Sequence, residues 1–327
     1  MQTREIGTSG IQASVIGLGT WVMGGWRWGG NNEKESIAAI QASIEAGVSL
    51  IDTAPVYGFG LAEEIVGRAI KNRRDKVVLA TKCGLVWHNK KGTHFFSAEG
   101  RDIHRYLGKD AIEYDLEQSL KRLETDYIDH YITHWQDATT PIDETMETLL
   151  NLKKEGKIRS IGISNSSMDD LKNYQKFGGV DAVQEKYNML DRDLESSLLP
   201  LCRSTNVSVL SYASLATGLL TGKLDPDRLF KGDDQRIGNP RFTQENRKKM
   251  IAFFEKLAPI SDRYGLSKAQ LVIAWTIAQP GITFALCGAR TPEQAVENAK
   301  AGQVILEIED IGKINEIILE ILPIKGK

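Results

Sequence analysis

Apolar residues along the chain switch repeatedly between two periods. Short β-rich runs occur at VIGLGT (15–20), SLIDTA (49–54), KVVLATKCG (76–84) and YIDHYITH (127–134). They continue at SIGISN (160–165), AVQEKYN (182–188), VSVLSYAS (207–214) and ITFALCGA (282–289). Between most of them the spacing becomes helical. In the stretch 33–47, Ile37, Ile40 and Ile44 form one stripe that ends at Gly47. Segment 108–123 sets Ile112, Leu116, Leu120 and Leu123 on one face, and 141–156 begins with Pro and ends with Gly.

Strands that alternate with helices predict a parallel sheet covered on both faces. Eight such strands in 327 residues point to a closed (β/α)8 TIM barrel. No linker or composition break divides the chain, so 1–327 reads as one barrel domain. The first fifteen residues suggest an N-terminal β-hairpin able to plug the barrel floor. Segments 216–243 and 302–327 exceed the repeat, which predicts a lid and a C-terminal addition with an extra helix. The rival fold, an open doubly wound sheet, should carry a Gly-rich phosphate turn. GFGLAEEIVG (58–67) comes near it, but Glu63 stands where the third glycine belongs and would repel pyrophosphate. GLGTWV (17–22) fails at Val22.

Charge narrows the partners. With 41 basic against 43 acidic residues, nothing suggests nucleic acid or an anionic membrane. Cys83, Cys202 and Cys287 are too scattered for a disulfide framework or a zinc knuckle, which fits a reducing cytoplasm. The start of the chain lacks a signal-peptide core, and no apolar run is long enough for a membrane span.

A barrel carries its chemistry where strands end. The polar residues there are Thr20, Asp52, Tyr57, Lys82, His134, Ser164, Asn165, Gln184, Tyr212, Ser214 and Arg290. Five of the six tryptophans, all but Trp275, fall in the same loops, with Trp87 and Trp135 the best candidates for a pocket wall. Asp52, Tyr57, Lys82 and His134 form a proton-handling set. An ammonium beside a phenol favours the phenolate and lowers its pKa. Asp52 would keep Lys82 charged, and a histidine would align the substrate oxygen or assist proton delivery. Each residue alone is read as readily as a salt bridge or a core ring; four on one mouth favour chemistry. His130 and His134 share a strand face, but two histidines without a third ligand make a poor metal site, so no metal is assigned.

The motifs IGLGTWVMGG, LIDTAPVYGFGLAEEIVGRAI, VVLATK, SLKRLETDYIDHYITHWQD, GKIRSIGISN, ATGLLTGKL and GARTPEQAVEN resemble those of the aldo-keto reductases over essentially the whole chain. The resemblance is nearest to the bacterial general-stress and inositol-operon members. It implies a catalytic tetrad of Asp52, Tyr57, Lys82 and His134, in which Tyr57 protonates a carbonyl oxygen during hydride transfer from NADPH. It also implies a cofactor path. Thr20 and Trp21 lie at the nicotinamide, Ser164, Asn165 and Gln184 on its carboxamide, and Tyr212 against its ring. Ala213, Ser214, Leu215, Gly218 and Lys223 hold the pyrophosphate, with Arg236 from the lid. Gly288, Ala289, Arg290, Gln294, Glu297 and Asn298 meet the adenosine end, where Arg290 suits a 2′-phosphate. The expected substrate is a small carbonyl or alcohol in a pocket formed by Trp21, Tyr57, Trp87, His134 and Trp135. Two departures from the family pattern, Gln136 and Ser166, together with a long polar loop at 88–102, point toward hydroxylated substrates such as sugars. The other function class is an NADP(H)-binding regulatory subunit with little turnover, as in the channel-associated members of the superfamily. The oligomeric state, the physiological substrate and the direction of reaction are left open.

Overall fold

A computed structural model describes residues 1–321 and Ile324. Eight parallel strands close a barrel in sequence order: β1 (Ile16–Gly19), β2 (Leu50–Asp52), β3 (Val78–Cys83), β4 (Ile128–Thr133), β5 (Ile158–Ser164), β6 (Ala182–Lys186), β7 (Ser208–Tyr212) and β8 (Phe284–Gly288). All eight coincide with the runs read from the sequence. The helices are α1 (Glu33–Glu45), α2 (Leu61–Ile70), α3 (Lys109–Leu123), α4 (Ile142–Lys154), α5 (Met168–Lys176), α6 (Leu198–Ser204), α7 (Gln244–Tyr264), α8 (Lys268–Ala278), α9 (Pro292–Lys300) and α10 (Ile308–Ile321). Local chemistry sets several ends. Asn32 caps α1, while Ser167 with Asp170 and Ser267 with Gln270 form capping boxes for α5 and α8. Of the expected C-terminal addition, α10 is observed; residues 322, 323 and 325–327 lie outside the described residues. It packs on α7 and is tied to the barrel by Asn315, whose oxygen accepts from both Trp275 and Arg192 at 3.1 Å.

The N-terminal hairpin pairs Thr3–Glu5 with Gln12–Ser14 and seals the barrel floor. Ile6 at its turn is fully buried among Leu50, Ala80, Ile132, Ala182, Leu210 and Phe284. Ile6→Ala should therefore leave a cavity under the barrel and cost about 2–5 kcal/mol, read from urea denaturation. An unchanged midpoint would show that the hairpin does not close the interior.

Segment 88–102 is not a polar loop. Leu85–Val86, Thr93–Ala98 and Arg101–Arg105 form an antiparallel sheet with Arg101–Arg105 at its centre. Its tight turn is Glu99–Gly100, both at positive φ, the geometry of a two-residue hairpin. A register shift between His94 and Phe96 lets the adjacent Phe95 and Phe96 both pack inward, against the period-two rule that made the stretch look irregular. Phe96 stacks on Trp26 at 5.5 Å, and Phe95 meets Trp135 at 4.9 Å, so this sheet roofs the barrel mouth.

The tempting glycines of the 58–67 stretch serve packing. A Cβ on Gly24 would strike the Tyr57 carbonyl, and one on Gly58 would strike that of Gly24. The loops after β1 and β2 thus touch backbone to backbone, which brings Trp21 onto Tyr57. Glu63 is wholly buried, accepting from Thr81 at 2.6 Å and Arg122 at 2.7 Å. It clamps α2 to β3 and α3.

Candidate active site

Strand register assembles the reactive groups. Asp52 at the end of β2 lies opposite Ala80 on β3, so Lys82, two positions further on the same face, becomes its diagonal neighbour. Lys82 Nζ donates to both Asp52 oxygens, at 2.8 and 2.9 Å, and to the Thr53 carbonyl at 2.8 Å. Two carboxylate oxygens and a carbonyl around the nitrogen favour its ammonium form although the side chain is wholly buried. Burial pulls its pKa down, and Asp52 pulls it back. Asp52 is held from two further sides. Thr20 donates through both its amide and its hydroxyl to the Asp52 carbonyl. Gln184, on the strand diametrically across the barrel, donates to Asp52 Oδ1 at 2.7 Å.

The Lys82 nitrogen lies 4.9 Å from the centre of the Tyr57 ring. His134 meets that ring edge-on at 5.9 Å, and Trp21 stacks on it at 6.2 Å. The expected acidification of the phenol is not seen. Burial, followed by the Asp52 charge, pushes Tyr57 well above its ordinary value. A dry ring beside a carboxylate disfavours the phenolate, so the hydroxyl holds its proton. Burial and Lys82 hold His134 well below its ordinary value, as a neutral imidazole. The second histidine of that strand, His130, is spent on Ser160 at 2.8 Å inside the barrel.

Beyond β5 the chain turns left-handed at Asn165, with φ 53°. The Asn165 amide is a hub. It donates to the His134 carbonyl at 2.9 Å and to Ser164 Oγ at 3.1 Å, and it accepts from the Tyr212 hydroxyl at 2.7 Å. Ser164 donates to the Gln184 carbonyl at 2.7 Å. After β7, Ala213, Ala216, Thr217 and Gly218 all have positive φ. Holding each non-glycine position there costs about 1–3 kcal/mol, and the turn is closed by the Ala216 amide on the Ala213 carbonyl and the Gly218 amide on the Leu215 carbonyl. Ser214's own hydroxyl is spent on the Ser211 and Leu286 carbonyls.

The lid spans the mouth. Asp233 accepts from the amides of Arg27 and Gly29 in the loop after β1. It carries Arg236, whose guanidinium lies 5.6 Å from the Trp28 ring, while that of Arg290 lies 5.7 Å from the same ring. Asp234 is the acid paired with Arg236, and burial, then Arg236, lowers Arg290. Both guanidiniums thus lie near one indole, with Asp234 bonded to that of Arg236. Arg290 also takes the Gln294 side chain on its amide, Asn298 donates to the Gly288 carbonyl, Ala289 is buried beside them, and Lys223 pairs with Glu297. Of the predicted cofactor residues, Ser164, Asn165, Gln184 and Tyr212 are joined by hydrogen bonds, and Gly288, Arg290, Gln294 and Asn298 by a second set.

Two polar candidates are not offered to the pocket. Gln136 donates to the Ser164 carbonyl at 3.0 Å, and Ser166 gives both its amide and its hydroxyl to Glu185. The 88–102 segment adds Phe95 and Phe96 to the mouth rather than only polar groups. Phe95, Phe96 and Asp233 were missed in the sequence; the Glu99–Gly100 turn was the readable signal for the first two.

Fold and site define an oxidoreductase: the chain belongs to the aldo/keto reductase family, whose sequence model matches residues 15–319. It is 41% identical to the aldo-keto reductase YhdN of Bacillus subtilis over 97% of this chain and 94% of that protein. It is 40% identical to the NADH-specific methylglyoxal reductase of Escherichia coli, covering 97% and 98%. The structure of the glycerol dehydrogenase AKR11B4 from Gluconobacter oxydans superposes with a TM-score of 0.88, at 34% identity and 98% and 96% coverage. No helix among the described residues is long and apolar enough to cross a membrane.

Proposed function

We propose that this protein is an NADPH-dependent reductase of short-chain aldehydes and ketones, reversible toward the alcohols, with Tyr57 as general acid. The observation that carries the reading is the Lys82 ammonium, saturated by Asp52 and Thr53, beside a Tyr57 phenol that keeps its proton. A bound reduced nicotinamide would supply the hydride. Tyr57 gives its proton to the carbonyl oxygen, and neutral His134 donates a hydrogen bond that orients the same atom. Trp21, Trp87, Trp135 and Phe95 wall the pocket and keep water from the transferring charge. Ser164, Asn165 and Gln184 hold the carboxamide, and Tyr212 backs the ring. The 213–218 turn with Lys223 and Arg236 takes the pyrophosphate. Gln294, Glu297 and Asn298 take the adenosine, and Arg290 grips the 2′-phosphate. The apolar roof and the named substrates of two relatives, both three-carbon compounds, favour compact carbonyls over sugars.

The test is oxidation of NADPH and NADH with methylglyoxal, longer aldehydes and aldose sugars, together with oxidation of glycerol. Arg290→Ala is expected to raise KM for NADPH about 10- to 100-fold while leaving NADH nearly unchanged, since one charge-assisted contact is worth about 1.5–3 kcal/mol. Faster turnover with NADH, as the name of the E. coli relative states for that enzyme, would overturn the cofactor assignment. Tight NADPH binding with no turnover of any carbonyl would favour the regulatory-subunit reading.

A further inference from the structure

Strand β6 presents its side chains alternately to the two faces of the barrel wall. Gln184 points inward to Asp52; Glu185, next in line, bonds to the start of α5. Glu185 is only 6% exposed. Its Oε1 accepts the amide of Ser166 at 2.7 Å and the Ser166 hydroxyl at 2.9 Å. Ser166 immediately follows Asn165, the left-handed residue that joins His134 to Tyr212. A non-glycine residue at positive φ persists only when its surroundings over-determine it, and Ser166 is pinned from the Glu185 side.

We propose that Glu185 is a positioning residue for the reaction, holding the Asn165 turn through Ser166 so that cofactor binding follows the charge on its carboxylate. The inference rests on the reading of that turn as the nicotinamide seat.

Among the described residues no cation pairs with Glu185. The adjacent Lys186 is engaged with Asp191 at 3.1 Å. The titratable groups that face Glu185 are Asp170 on α5, Cys202 on α6 and Tyr212 on β7, none of them a basic side chain. Burial first, opposed by the two Ser166 bonds, raises the carboxyl to about 7. The ionised form binds Ser166 through two charge-assisted bonds; the protonated form accepts more weakly. Stability runs the other way. The native state binds the proton more tightly than the unfolded chain, so this residue's contribution is full below the ordinary glutamate value. It is lost as pH rises through about 7. The same ionisation that firms the turn costs the fold.

The full-length enzyme and Glu185→Gln are compared for NADPH Kd, kcat/KM and Tm from about pH 6 to about pH 9. Taking the ratio of variant to wild type cancels titrations that both share, including that of the 2′-phosphate. The Kd ratio should be near one at about pH 6 and rise to about fivefold at about pH 8, the difference between a charged and a neutral acceptor. Over the same range the variant's Tm should pass above that of the wild type. Ser166→Ala should reproduce part of the Kd loss without the gain in Tm. A Kd ratio that does not change with pH overturns the proposal, even if the variant is weaker throughout. Wild-type enzyme that binds neither dinucleotide would sink the reading of the site, and this inference with it; binding with parallel pH profiles sinks this inference alone.

Discussion

Tyr57→Phe is expected to lower kcat by about 10²–10⁴-fold while NADPH affinity and stability stay close to wild type. The ring is what packs here, against Trp21 at 6.2 Å and His134 at 5.9 Å, and phenylalanine keeps it. No hydrogen bond joins the Tyr57 hydroxyl to another described residue, so its removal strands no buried partner. In the mechanism proposed above, what is lost is the proton that Tyr57 gives to the carbonyl oxygen. His134 is no substitute, because burial and Lys82 hold it well below its ordinary value, as a neutral imidazole and not an imidazolium acid. Single-turnover reduction of methylglyoxal, with dinucleotide binding measured separately, separates chemistry from binding. Undiminished turnover would remove Tyr57 from the mechanism.

Lys82→Met is expected to destabilise the protein by about 3–5 kcal/mol as well as silence it, because it leaves a buried carboxylate without its cation. Asp52 would retain the Gln184 amide as its side-chain donor, too little to offset desolvation. Adding Asp52→Asn to Lys82→Met should recover a large part of the lost stability and none of the activity. Urea midpoints for the four-protein cycle report the coupling. A double variant as unstable as the sum of its parents would mean that the two groups do not act as a pair.

Much of this arrangement was legible in the chain. The two alternating periods located all eight barrel strands, because each strand must bury apolar residues whichever neighbour it meets. The four tetrad residues stood out because ionisable groups sit where apolar strands give way to loops. Glu63 has a packing role that the sequence did not show: its carboxylate is buried on Thr81 and Arg122. The roof at 88–102 was misread because one bulge turns two consecutive phenylalanines to the same side, and bulges depend on the partner strand.

Sequence alone, then, determined the fold, the order of its strands and the candidates for the reacting groups, since these depend on periodicity and residue chemistry along the chain. Tertiary structure decided the protonation state of Tyr57, the partners of Gln136, Ser166 and Gln184, and the aromatic roof. Each of those depends on which residues distant in the chain share a dry volume, and a pKa or a hydrogen bond responds to that neighbourhood rather than to sequence order.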